Sequence, residues 1–231
     1  MKFLLSLYGT LIYTLAIGQN LPNIEDYPLG HLDVEVVVMP FGLDYPITIG
    51  KVSKSGNIMF DFPKEIDLPE EVISGFGSSE LWMTLFSSGC KGDPPVEESA
   101  VYSFKAGNIW LSSAENPAFG VIFPVSDKKL VAWQEDQVNV DPVLGSYYEL
   151  VYLDTAFRYR GNCTLMVPVE KEQVNVEYAY DLDLKSGFNF IRYRIERIHK
   201  TNAVIRASLP AKISVTNIEN TPNSQWIGKF F

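Results

Sequence analysis

Two histidines and two cysteines are the only imidazole and thiolate ligands that 231 residues offer to a zinc site. His31 and His199 stand far apart, and Cys90 and Cys163 have no C-x-x-C spacing, so these four residues do not build a zinc site. No metal or other cofactor is expected. The chain also lacks a run of basic residues. Its 19 Lys and Arg face 28 Asp and Glu, for a net charge of −9 and a pI of about 4.8, which argues against a nucleic-acid partner or docking on anionic lipid. Catalytic signatures are missing too: no G-x-S-x-G elbow occurs, and Gly75-Phe76-Gly77-Ser78-Ser79 lacks the closing glycine. Glycine-rich phosphate loops, fixed-period repeats and low-complexity tracts are absent. His199 ends a strand-like run and His31 stands in a Pro/Gly-rich entry segment, so both read as turn or surface histidines.

What is present begins at the N-terminus. Residues 1–18 carry one charge, Lys2, then an apolar run from Phe3 to Ile17, with Ala16 and Gly18 at the small positions before a cut. These are the three parts of a secretory signal peptide. The run is shorter than the roughly 20 residues a membrane helix needs, which disfavours an anchor. Cleavage would start the mature chain at Gln19 and leave 213 residues with a net charge of −10. Both cysteines then lie in an oxidising compartment, where disulfides persist. A Cys90–Cys163 bridge would close 73 residues and constrain the unfolded chain by roughly 4 kcal/mol; the rival is two separate buried thiols. Asn162-Cys163-Thr164 fits the N-glycosylation pattern, which matters only in a eukaryotic secretory route.

Helix signals are scarce. The best is Asp67-Leu68-Pro69-Glu70-Glu71-Val72-Ile73, with Asp67 as cap, Pro69 near the first turn and two acids at the positive end of the dipole. Elsewhere the pattern is short strands and turns. Three hairpins are predicted: Ile47–Val52 with Asn57–Phe62 around Ser53-Lys54-Ser55-Gly56, Val101–Phe104 with Ile109–Leu111 around Lys105-Ala106-Gly107-Asn108, and Val174–Leu184 with Phe188–Ile198 around Lys185-Ser186-Gly187. Further strands are expected at Gly120–Val125, Lys129–Trp133 and Ser146–Leu153. In the first strand of the third hairpin, Val174, Val176, Tyr178, Tyr180, Leu182 and Leu184 alternate with Asn175, Glu177, Ala179, Asp181 and Asp183, the mark of one buried and one wet face. Acids such as Asp181 and Asp183 would meet Arg192 and Arg194 across it.

Two acidic groups invite a chemical reading. Asp181 and Asp183 point to one side of a strand about 7 Å apart, a glycosidase-like spacing, although such pairs usually come from separate strands in a cleft. Asp136, Asn139 and Asp141 offer oxygens to calcium but match no EF-hand; a plain acidic loop is the simpler account. Trp82, Trp110, Trp133 and Trp226, with 12 Tyr and 14 Phe, suit a sugar-stacking platform, the girdles of an outer-membrane barrel, or, from their alternation in strand runs, a sandwich core. The chain ends in Phe231, as many outer-membrane barrels do, but Lys229 and Gln225 interrupt the apolar alternation of such a final strand.

Tyr147–Phe157, the Gly161-Asn162-Cys163 step and Tyr180-Asp181-Leu182-Asp183-Leu184-Lys185-Ser186-Gly187-Phe188-Asn189 resemble a group of small, uncharacterised secreted β-sandwich proteins of Gram-negative bacteria, in which this last segment reads YDLDLKKGWN. Phe188 replaces the tryptophan and keeps an aromatic anchor. The group's closing KWY segment is similar to Gln225-Trp226-Ile227 through Phe230, and Ile49–Pro63 resembles a GxVxxxGxFxLxLP hairpin of exported β-sandwich domains. The resemblance covers about half the chain. It implies a bacterial envelope location and an all-β fold, and assigns no catalytic residue.

The sequence therefore predicts an all-β protein, an antiparallel β-sandwich or partly closed barrel with hairpin and Greek-key connections and at most one or two short helices. After the signal (1–18), residues 19–231 form one domain or two packed β halves with a seam near 87–99 or 114–118. The expected role is binding or structural, in the periplasm, at the surface or secreted, toward an unknown ligand or envelope protein. The alternative is an exported hydrolase with a carboxylate pair, and a third is a small outer-membrane barrel.

Overall fold

A computed structural model describes residues 21–28, 30, 34–69, 71–72, 81–86, 101–169, 172–201 and 207–231. Among them the chain is all-β, with thirteen strands and, besides the helical pair Glu71 and Val72, two short helices. The strands are β1 (Ile24–Glu25), β2 (Val34–Val38), β3 (Ile47–Val52), β4 (Ile58–Phe60), β5 (Ser103–Lys105), β6 (Ile109–Ser112), β7 (Gly120–Val125), β8 (Gly145–Leu153), β9 (Phe157–Val169), β10 (Glu172–Leu184), β11 (Gly187–His199), β12 (Leu209–Ile218) and β13 (Gln225–Phe230); α1 spans Leu81–Leu85 and α2 Lys129–Glu135. The expected signal peptide, Cys90, His31 and the 87–99 seam lie outside the described residues.

All thirteen strands join one open sheet in the order β4-β3-β2-β6-β7-β8-β11-β12-β10-β9, with β13 and β1 added beside β7 and β5 beside β8. Pairing is antiparallel except for β1 with β13 and β10 with β12. The sheet does not close into a barrel. It doubles back instead: β4 and β11 are six places apart in the order, yet Phe60 meets Phe190 edge to face at 5.5 Å. The result is sandwich-like packing made from one continuous sheet.

This folding-over leaves the central strands buried on both sides. Along β8, Val151 and Leu153 face a first core with Ile191 and Ile195 of β11, Leu182 of β10 and Leu130 of α2. Leu150 and Tyr152 face a second core with Val36 of β2, Ile49 of β3 and Trp226 of β13. A strand buried on both faces must be apolar throughout, and β7 (Gly-Val-Ile-Phe-Pro-Val) is buried at every position. The outer strands keep the alternation of one wet face.

The first predicted hairpin forms: β3 pairs with β4 around Gly56, whose φ of +81° suits a glycine. The other two do not. Gly107 makes its turn at φ +70°, but β5 pairs with β8 while β6 pairs with β2 and β7. After Lys185-Ser186, β10 and β11 stay one strand apart because β12 fills the space between them. A turn residue dictates a reversal; it does not dictate that the two arms bond to each other. Residues 114–118 lie in the reversal between β6 and β7, which do pair. Lys129–Trp133, expected as a strand, is the body of α2. The Asp127 carboxylate accepts the Lys129 amide at 2.9 Å, and Leu130, Val131 and Trp133 are buried. A five-residue apolar run does not separate helix from strand by period alone. Of the other helix signal, Glu71 and Val72 are helical among the described residues.

Candidate functional site

Because β5 and β6 take different neighbours, a cleft opens beside β8. One edge of β8 is fully covered by β11. On the other edge β7 pairs only at Tyr147 and β5 only at Val151 to Leu153, closed by hydrogen bonds from Ser126 N to Ser146 O and Ala106 N to Leu150 O. Tyr148 and Glu149 fall in the fork and have a strand partner on the β11 side alone. The cleft has a volume of about 540 Å³. Its walls include Trp110 of β6, Gln134 and Glu135 of α2, Asn108 of the β5–β6 turn and Phe231.

Two carboxylates reach this cleft from separate elements, and each meets a lysine. Glu149 Oε2 lies 3.0 Å from Lys105 Nζ, and Glu135 Oε1 lies 2.6 Å from Lys229 Nζ. Lys105 also stands 6.0 Å from the centroid of the Tyr193 ring. Beneath the floor Tyr147 and Tyr193 stack at 5.0 Å and 7°. Burial pushes both phenols well above the ordinary tyrosine value, and the negative charge of Glu149 adds to the effect. Gln134 supplies the telling atom: its side-chain oxygen is buried without a hydrogen-bond partner. An acceptor left so costs about 1–3 kcal/mol.

The acidic residues singled out in the sequence go elsewhere. Asp181 and Asp183 are exposed on β10 and pair not with β11 but with β9, Asp181 with Arg160 at 2.8 Å and Asp183 with Arg158 at 2.5 Å. The Arg158 guanidinium holds Asp183 below the usual carboxylate range. The Asp136 carboxylate accepts the Asn139 amides, and Asp141 accepts the Ser208 N–H at 2.6 Å; both acids are lowered by these bonds. They tie the loop after α2 to itself and to the start of β12. His199 ends β11. Trp226 and Trp133 are core residues, and Trp110 alone of these three lines the cleft. Cys163 is buried on β9 and is not a free thiol.

No three acidic, histidine or cysteine residues among those described are grouped to hold a metal ion, and no described helix is long and apolar enough to cross a membrane. Comparison with protein families, curated proteins and solved structures finds no match.

Proposed function

We propose that the protein is exported to the bacterial envelope and binds a neutral glycan in the cleft where β5 and β7 diverge from β8. The observation that carries the reading is the buried, unpartnered Gln134 oxygen on the wall of a half-open strand edge. A sugar hydroxyl satisfies such an acceptor, and the Tyr148 and Glu149 stretch of β8 adds backbone groups free of a second strand. Trp110 offers an aromatic face for the sugar's C–H surface. The charges are balanced, two carboxylates against two ammonium groups, which favours a ligand without net charge. The export half rests on the signal-like N-terminus and on the resemblance to secreted β-sandwich proteins.

Thermal unfolding with neutral oligomers of N-acetylglucosamine or glucose tests it. At one hundred times its dissociation constant a ligand stabilises the fold by about 2.7 kcal/mol, a rise in Tm of roughly 5–10 °C at this size. Trp110→Ala is expected to abolish the rise. Unmoved melting with every oligomer would discard the glycan reading. The second reading, an exported hydrolase, draws on the approach of Glu135 and Glu149 from separate elements. Shortened oligomers found by chromatography after incubation would favour it. The outer-membrane barrel is not carried forward, because a spanning barrel has no free edge and this sheet is open among the described residues.

Export also predicts that Cys163 is bridged to Cys90. Thiol labelling of the denatured, non-reduced protein is expected to find none, and reduction to cost roughly 4 kcal/mol. Two labelled thiols would end the idea.

A further inference from the structure

Arginine is unevenly spread along this chain. Residues 1–157 contain none, and all six lie within residues 158–206. Arg158 and Arg160 stand on β9, and Arg192, Arg194 and Arg197 on β11. Ile191, Tyr193 and Ile195 fill the first core, so Arg192 and Arg194 point to the opposite face; the same alternation turns Arg158 and Arg160 outward. Strand register aligns Tyr148, Arg192, Thr216, Asp181 and Arg160 in a straight row across β8, β11, β12, β10 and β9. At about 4.8 Å per strand the row is roughly 19 Å long. A basic cluster invisible along the sequence is thus assembled by sheet order.

Three of these arginines are occupied. Arg158 and Arg160 hold Asp183 and Asp181, and Arg197 meets Glu177 at 3.2 Å. These pairs are exposed and contribute little to stability. Arg192 and Arg194, in the middle, have no ion-pair partner among the described residues. Arg192 Nε and the hydroxyl of its row neighbour Thr216 are both buried without a hydrogen-bond partner. Two guanidinium groups about 7 Å apart along one strand, beside a free hydroxyl, form a recognition pattern. The planar fork of arginine matches carboxylate in two-point geometry, which the ammonium of lysine cannot do.

We propose that this face docks an acidic polysaccharide, with Arg192 and Arg194 taking uronate carboxylates and Thr216 a sugar hydroxyl. The surface adjoins the cleft at Tyr148, but the proposal does not rest on the cleft's ligand. Of the exposed large apolar side chains on β8 to β12, only Met166 is found among the described residues, too little to insert into a membrane. A duplex nucleic acid, with one negative charge per roughly 1.7 Å, is repelled by the protein's overall charge of −9 more strongly than a polyuronate, which carries one carboxylate per sugar.

Affinity electrophoresis of the mature protein through gels containing polygalacturonate tests the proposal. The wild type is expected to be retarded, and R192Q/R194Q to bind at least tenfold more weakly. R192K/R194K keeps the charge but loses the fork, and is expected to lose most of the retardation as well. K51Q/K54Q, on the far part of the sheet, and W110A, in the cleft, are expected to behave as wild type. R194Q alone, at an exposed position, serves if the double variant melts early. The proposal is overturned if the wild type runs unretarded, if K51Q/K54Q loses as much as R192Q/R194Q, or if polyglutamate or phosphatidylglycerol vesicles bind as tightly as polygalacturonate.

Discussion

Trp226→Ala is expected to remove about 3–5 kcal/mol of folding stability and to lower Tm by roughly 10 °C or more. Trp226 is 1% exposed and the bulkiest of the fully buried side chains. It packs on Phe60 at 5.6 Å and Phe190 at 6.1 Å, where the two arms of the folded sheet meet. Its indole N–H donates to the Pro222 carbonyl at 3.3 Å. Its backbone lies level with Ile24 of β1 and Pro124 of β7. Alanine would therefore leave a cavity at the closure of the second core and an orphaned carbonyl beside it. Urea unfolding with an unchanged slope measures the loss. Trp226→Phe, which retains a ring, is expected to lose clearly less. A loss under about 1 kcal/mol for the alanine variant would mean that the second core does not depend on this contact.

The second large effect is alkaline. Tyr147 and Tyr193 are held neutral by burial and by the nearby Glu149 charge, so their folded-state ionisation lies well above that of unfolded tyrosine. A group raised in this way contributes stability that is complete below the unfolded value, about pH 10, and is lost as pH rises past it. Each phenol that stays protonated only in the fold costs about 1.4 kcal/mol per pH unit, hence about 2.7 kcal/mol per unit for the pair. Against a total of some 5–15 kcal/mol, that is enough to unfold the protein within a few units. Phenolate absorbance followed with circular dichroism checks it: the buried share is expected to appear together with the loss of sheet signal. Tyr147→Phe with Tyr193→Phe should move the alkaline transition upward. A smooth rise in phenolate while the sheet signal holds would contradict the burial argument.

Local chemistry made much of this fold legible. Gly56, the alternation from Val174 to Leu184, and the all-apolar β7 each announced their element, because turns and two-sided burial are written in neighbouring residues. Pairing partners were not, since β5 and β11 are sorted by contacts made far along the chain. The same limit hid the functional surfaces. Nothing near Tyr148 or Glu149 marks a fork, which exists only because β5 and β7 take different stretches of one edge. Arg192 and Arg160 are 32 positions apart, and only the interposed β12 aligns them. Asp181 and Asp183 are readable as a wet face, but the turn at Lys185 points to β11 as their neighbour where the sheet supplies β9. Cleft residue Gln134 had no sequence signal at all; its significance lies in a missing partner.

The position of β12 bears on how the molecule is made. β10 and β11 are joined by two residues pinned by Asn189, whose side chain bonds Lys185 N and O, and this short link spans the end of the strand between them. Asn217 of β12 bonds back to the Asp183 amide at 2.8 Å. A local β10–β11 hairpin is therefore not the final pairing: β12, which comes later in the chain, takes the position between them. Topology of this kind makes assembly slow relative to a meander of the same length. Without β12 in place, the facing edges of β10 and β11 lack their native partner, and an unpaired strand edge is a template for pairing with another chain.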